Sequence, residues 1–310
     1  GQWMQRWLQG QDTHVPIRDF DQDLQEFTVL NVTEKGQVLT LENERSVFDL
    51  NAELASHYET QRKDQVERED PEQLRKAIRE VVGIRDPKTL PAPRMEEIGR
   101  VHREEYHIDK LVLHTDSPTP LPGLTFHPKV PQDAAYVYLT DSGKTGDGEP
   151  GGPIEDLVND GYAVVTVDLR GQGETGNGAP DKILGDWKLF YLSYLQGKSL
   201  VGPRTEDALA AARFVAYYVT PVNMPRDVHL VGVGQAGIVA LHAAAMNPDL
   251  FASVTLRDVP ESWTKLVASP EIQGQIDSIV NGALRVYDLP DLIRLAGEDR
   301  VTIESTDKTE

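Results

Sequence analysis

Val228-His229-Leu230-Val231-Gly232-Val233-Gly234-Gln235-Ala236-Gly237-Ile238-Val239-Ala240-Leu241 is the stretch on which the fold turns. Its first six residues have the apolar, β-branched character of a short buried strand. Gly234 interrupts that run. From Ala236 onward the residues are small or aliphatic, as in a helix with a small inner face. Gly232 and Ala236 flank the turn where strand and helix must come close, and Gly234 stands at its apex.

Outward from this turn, strands and helices alternate. Residues 134–140, 162–167, 252–256 and 301–304 read as strands, and residues 153–159, 205–219 and 289–295 read as helices. Such alternation predicts a parallel sheet, and right-handed crossovers make it doubly wound. Ahead of the series, residues 106–114 and 121–127 read as two edge strands.

The central stretch resembles the nucleophile elbow of the α/β-hydrolases, G-x-S-x-G, in which a serine sits on a strained turn between strand and helix. In that alignment Gly232 and Ala236 fill the small flanking positions and Gly234 takes the place of the serine. Sliding by one residue would put Val233 on a crowded flank and Gln235, which is no nucleophile, at the apex. Two further segments carry the resemblance. Asp168-Leu169-Arg170-Gly171-Gln172-Gly173-Glu174-Thr175 is similar to the D-x-R-G-x-G-x-S/T turn of that superfamily. The run from Tyr194 to Arg204, leading towards Asp207, is similar to the segment before the elbow in acetyl xylan esterase-like and dienelactone hydrolase-like members. Tyr287-Asp288-Leu289-Pro290-Asp291-Leu292 fits such esterases as well, ahead of the strand that carries the acid of the triad. The resemblance implies an α/β fold over residues 101–310: a doubly wound, mostly parallel sheet of the α/β-hydrolase type, truncated at its C-terminal end.

An acyl-transfer triad needs a nucleophile, an acid and a histidine base, in that chain order. Gly234 has no side chain with which to attack a carbonyl. The resemblance puts the acid just beyond residues 301–304, where Asp307 is the best match, although a solvated residue of a polar tail reads equally well. No histidine follows; the last in the chain, His242, lies inside the helix after the elbow and reads as a packed or rim residue. The oxyanion hole would draw on the N–H of Gln235 and on the loop after residues 134–140, where Gly143 offers a second N–H. Asp141 brings negative charge to the same place, and Ser142 reads as a turn residue. Arg170 and Glu174 read as braces of their own loop.

The N-terminal third carries no visible chemistry. Residues 2–10 form an amphipathic helix closed by Gly10, with Trp3, Met4, Trp7 and Leu8 on one face. That lead, residues 1–20, is either an ordinary first helix or the end of a preceding domain. Residues 21–100 read as a small α+β appendage and linker. Within it, residues 27–33 and 37–41 are expected to pair as a hairpin about Gly36, and a helix runs from Ser46 to about Gln65. A second helix opens at Asp70-Pro71-Glu72-Gln73 as a capping box, buries Leu74, Ile78 and Val81, and ends at Gly83. The run from Asp86 to Pro93 is linker by composition, and Asn31-Val32-Thr33 is a formal glycosylation sequon.

With 50 acidic and 31 basic residues the net charge is −19, a field that repels nucleic acid and anionic membranes. No apolar run approaches a membrane span, and no signal peptide is visible. The absence of cysteine excludes disulfides and thiolate chemistry. It permits the secreted or periplasmic setting that the resemblance favours. No cofactor is called for. Glu104 and Glu105 lie near His102 and His107, but the helix-borne H-E-x-x-H spacing is lacking, so no metal is expected.

Two functions remain. One is a non-catalytic hydrolase-like domain with a structural or carbohydrate-binding role in a longer esterase, with a tandem hydrolase domain in the same polypeptide and a carbohydrate or small ester as ligand. The other is an active serine esterase, of which this chain is an incomplete part. Loss of the triad serine in another hydrolase removes roughly 10⁶-fold in turnover and leaves about 10³–10⁴ over water, which favours the first.

Overall fold

The computed structural model describes residues 2–11, 24–66, 70–176, 178, 181, 185–218, 225–269 and 274–305. The chain divides into two compact units, Gly1–Ser46 and Val47–Glu310. In the first unit α1 spans Gln2–Gln9, and Gly10 closes it at φ +65°. Its Trp3, Met4, Trp7 and Leu8 are all exposed. The hairpin expected over residues 27–41 is absent. Two short 3₁₀ turns, Phe27–Leu30 and Val38–Thr40, stand there instead, although Gly36 does adopt a positive φ of 69°. An isolated two-stranded ribbon is marginal without an apolar surface beneath it. None is supplied here, since Phe27, Val29, Leu30 and Val32 are exposed.

The second unit opens with α2 (Val47–Val66) and α3 (Pro71–Val82). Gly83 ends α3 in the left-handed region at φ 82°, as expected, but the Asp70 side chain makes no capping hydrogen bond. Leu74, Ile78 and Val82 are its fully buried residues, while Val81 packs at the margin of the same cluster. The proline-rich run that follows is tied down: Pro87 is buried, and the Arg213 guanidinium donates to the carbonyls of Pro87 and Leu90.

The sheet is built from β1 (Arg94–His102), β2 (Tyr106–His114), β3 (Leu121–Pro128) and β4 (Ala134–Leu139). Then come α4 (Pro153–Asn159), β5 (Ala163–Val167), α5 (Trp187–Leu195) and α6 (Val201–Tyr217). The series continues through β6 (Asp227–Val233), α7 (Ala236–Met246), β7 (Ser253–Arg257) and α8 (Trp263–Ala268). It closes with α9 (Leu289–Ala296) and β8 (Val301–Glu304). Among the described residues no helix is long and apolar enough to cross a membrane.

The strands form one sheet in the order β1-β2-β3-β5-β4-β6-β7-β8. The first three pair antiparallel, as does β3 with β5, and every pairing from β5 to β8 is parallel. β1 is the edge, so β2 and β3 are interior strands and not the edges expected. β1 escaped detection because Met95, Ile98 and Val101 recur every third residue. A register shift between Glu97 and Gly99 leaves Met95 opposite Leu113 and Val101 opposite Ile108, on the two different faces of the sheet.

The main core lies on the face of the sheet covered by α3, α6, α7 and α9, with Leu209, Ile238 and Leu292 fully buried. A smaller cluster on the opposite face joins Ile154 and Val158 of α4 to Phe126, Tyr138 and Val164. The chain leaves β4 towards β5 on one side and returns to β6 on the other. The carboxyl ends of β4 and β6 therefore mark the point where strand order reverses, and open α/β sheets bind ligands in the crevice there.

The contact between β6 and α7 admits no side chain at Gly232. A Cβ there would lie 2.6 Å from Gly237 Cα and 2.7 Å from Ala240 Cβ. Gly232→Ala is expected to lower unfolding stability by about 2 kcal/mol through overpacking, measured by urea denaturation; an unchanged midpoint would contradict this packing.

Candidate functional site

The strand–turn–helix read from the sequence is present, with Gly234 at the tip between β6 and α7 and at φ +62°. Its N–H donates to the Arg257 carbonyl at 2.8 Å, and its carbonyl accepts from Gly237 N–H at 3.1 Å. The turn thus leans on β7 and feeds directly into α7. The first N–H groups of a helix lack intrahelical partners and carry its positive dipole end.

Those N–H groups are already taken. Asp141, two residues beyond β4, accepts from Gln235 N–H at 3.0 Å and from Ala236 N–H at 2.7 Å, one on each carboxylate oxygen. A Cβ built at Gly234 would overlap Asp141 Oδ2. The carboxylate therefore sits in the space that a serine side chain and its oxyanion would need. Asp141 is exposed to the cleft, yet the protein atoms crowded around its carboxyl push its pKa up. The two helix N–H groups pull it back, Asp277 raises it and Arg204 lowers it.

The two candidate oxyanion donors do not form a pair. Gln235 N–H is engaged by Asp141, and Gly143 N–H closes a turn on the Thr140 carbonyl at 3.2 Å. Gly143 is buried with φ +74°, and a Cβ on it would overlap Asp168. Ser142 is an exposed turn residue. Asp307 lies outside the described residues. His242 is fully buried in the core, its Nδ1 2.7 Å from the Ile238 carbonyl and its Nε2 2.8 Å from the Tyr287 hydroxyl. Burial brings its pKa down to about 4. Among the described residues, no histidine lines the cleft above Gly234.

The motif around Asp168 serves its own loop. Asp168, 1% exposed, accepts from Lys144 N–H at 2.8 Å, Lys144 Nζ at 2.5 Å and Glu174 N–H at 3.0 Å. Lys144 Nζ also reaches Glu174. Arg170 grips the buried Asp207 of α6, with Nη2 2.8 Å from Oδ1.

Above the turn lies a cleft of about 310 Å³, whose wall includes Asp141, Gln172, Asp181, Asp186, Gln235 and Asp277. Arg204 is paired with Asp277 at 2.8 Å, and Asp186 caps α5 through Leu189 N–H at 3.2 Å. Gln235 donates through Nε2 to the Gly274 carbonyl at 3.0 Å. Its Oε1, like that of Gln172, is buried without a hydrogen-bond partner. The cleft is thus lined by two glutamines whose amide oxygens are turned away from it, and by a surplus of carboxylates. Sequence reading missed this wall, because each glutamine fills an unspecified position of its motif and only the fold brings residues 172 and 235 together.

Residues 146–301 match the sequence pattern described as the alpha/beta hydrolase family. No curated protein sequence matches the chain. Among solved structures, a putative acetyl xylan esterase from Bacteroides fragilis superposes with a TM-score of 0.62 at 14% identity, over 87% of this chain and 85% of that one. The structure described as methylesterase BT1017 gives 0.50 at 14% identity, over 87% of this chain and 66% of that one. An acetyl xylan esterase from Paenibacillus sp. R4 gives 0.45 at 16% identity, over 86% and 79%. At such identities the likeness is one of fold.

Placing a side chain at Gly234 meets both positive φ and the Asp141 carboxylate. Gly234→Ser is expected to cost about 2 kcal/mol of stability. In an Asp141→Gly background the cost should fall, with a coupling of at least about 0.5 kcal/mol in a double-mutant cycle by urea denaturation. Additive effects would mean that Asp141 does not occupy the space above Gly234.

Proposed function

The chain belongs to the alpha/beta hydrolase family, and from that footing we propose that it is a non-catalytic, esterase-like domain that binds carbohydrate. The observation that carries the reading is the Asp141 carboxylate on the first N–H groups of α7, beside a glycine where an esterase has its serine. In an active site those N–H groups must be free to receive the negative charge that develops on the substrate carbonyl. Here a fixed internal anion holds them. A substrate oxyanion would have to displace that carboxylate or sit against it, and like charges at that range repel. With no side chain at Gly234, no covalent acyl intermediate forms there.

Carbohydrate suits what remains of the cleft. Gln172 and Gln235 line the cleft, and a side-chain rotation would turn their buried, unpartnered Oε1 acceptors to sugar hydroxyls, which are donors. Carboxylates along the wall accept hydroxyl hydrogen bonds equally well and reject anionic ligands. The acetyl xylan esterase named among the structural matches makes a xylan-type oligosaccharide the first ligand to try. Under this reading the domain holds polymer for catalysis performed elsewhere in a longer esterase.

The purified chain should not hydrolyse p-nitrophenyl acetate above buffer, nor be labelled by a fluorophosphonate probe. It should bind acetylated xylo-oligosaccharides in calorimetry, with Gln235→Ala weakening binding by roughly 1–3 kcal/mol through loss of an acceptor. Labelling at any serine would refute the non-catalytic reading. Absence of binding to neutral oligosaccharides would refute the ligand class.

A further inference from the structure

At the end of the sheet away from Gly234, three ligating side chains meet. β2 and β3 run antiparallel with His107 opposite His127 and Asp109 opposite Thr125. Residues two apart on a strand share a face, so all four project to the same side of the ladder. Phe126 pairs with Val164 at the start of β5, whereas Gly123 pairs with Val167 at its end. This end of β3 therefore lies beside the amino ends of the parallel strands, opposite the elbow.

One ligand atom from each of His107, Asp109 and His127 lies within 4.8 Å of the other two. Asp109 Oδ2 is 3.3 Å from His127 Nε2 and 3.9 Å from His107 Nε2. The two imidazoles stack at 4.7 Å with 16° between their planes. The ordinary account of such a cluster is an ion pair, and Arg100 does bind Asp109, with Nε 2.5 Å from Oδ1 and Nη2 3.0 Å from Oδ2. That pair leaves something over. His127 Nε2 and Thr125 Oγ1, on the same face of β3, are both buried with no hydrogen-bond partner. Buried polar atoms of this kind are costly and call for an explanation.

We propose that His107, Asp109 and His127 form a binding site for a divalent transition cation of the zinc type, with a fourth coordination position open to solvent beside the half-exposed His107. Two imidazoles and one carboxylate are the donor set of a three-ligand zinc site. Burial lowers the pKa of both histidines, that of His127 to about 4, so each ring is neutral near pH 7 and has a lone pair to give. Tetrahedral bonds of about 2.0–2.1 Å need ligand atoms about 3.4 Å apart, a spacing that Asp109 and His127 already have at 3.3 Å, while His107 stands 3.9 Å from Asp109 and closes in when the ion binds. Arg100 holds both oxygens of Asp109 in the metal-free site; it gives up Oδ2 to the ion and stays on Oδ1 as the outer partner that orients the carboxylate. Its charge and that of Arg226, the His102 ring 6.2 Å from that of His107, and the Tyr218 hydroxyl 3.5 Å from Oδ2 also face the site. The two cations hold the affinity to the micromolar range. Once bound, the metal staples β2 to β3.

The full chain, stripped with chelator and titrated with zinc chloride in a calorimeter, should take up one ion with micromolar affinity. His107→Gln and His127→Gln should each weaken binding at least about tenfold, while His114→Gln and His57→Gln leave it unchanged. In the unaltered protein, the Nε2 resonances of His107 and His127 should move together in ¹⁵N spectra as zinc is added, which needs no variant to fold. Undiminished binding in both ligand variants, no uptake at micromolar zinc, or shifts confined to other histidines would overturn the assignment.

Discussion

The grip of Asp141 on the amino end of α7 is the contact around which the rest of this molecule is arranged. A helix that starts directly from a strand exposes N–H groups with nothing to bond, and the α/β-hydrolase plan leaves them pointing into the crevice at the strand-order reversal. In an esterase that deficit is kept for the transition state. Here it is filled from within by a carboxylate on the neighbouring strand's loop, at 2.7 and 3.0 Å. The contact acts as an N-cap supplied from a distance, and such caps are worth about 1 kcal/mol. Gly234 is its steric counterpart, since any Cβ at that position would overlap the carboxylate. Glycine and aspartate are thus one feature seen from two loops.

Filling the elbow does not dismantle the scaffold around it. Asp168 still organises its loop through Lys144 and Glu174, and Arg170 still ties that loop to Asp207 on α6. These residues position the wall of the cleft, where the unpartnered Oε1 atoms of Gln172 and Gln235 stand. The fold therefore retains a concave, polar, acidic surface at the usual ligand-binding end of the sheet, with Gly234 and the Asp141 carboxylate at its floor. The His107–Asp109–His127 cluster lies at the opposite end, so occupancy of one leaves the other sterically free.

Much of this was legible in the sequence. Strong local signals told: the glycine spacing around Gly234, the period of strands and helices from Ala134 onward, and Gly83 as a helix stop. Failures came where local pattern needed tertiary support or disguised itself. Residues 27–41 alternate like a hairpin, yet no apolar surface lies beneath them, so turns form instead. β1 is a mostly exposed edge strand with a bulge between Glu97 and Gly99, so it shows no alternation. α5 and α8 are short, and α5 is apolar almost all round, so neither showed a clear stripe. At the site, the glycine at the turn could be read directly, but the carboxylate beside it could not. Asp141 and Ala236 are 95 positions apart, and only the parallel pairing of β4 with β6 brings them into contact. His107 and His127 are likewise joined by strand register alone.

The most direct test of the Asp141 contact is the pH dependence of the Gln235 and Ala236 amide resonances by NMR. If the carboxylate accepts from both N–H groups, both amide protons lie downfield at neutral pH and shift upfield together on acidification, with a single apparent pKa above that of an unperturbed aspartate. In Asp141→Asn that shared titration disappears. Amides that do not titrate, that titrate independently, or that keep their titration in Asp141→Asn would contradict a carboxylate-filled elbow.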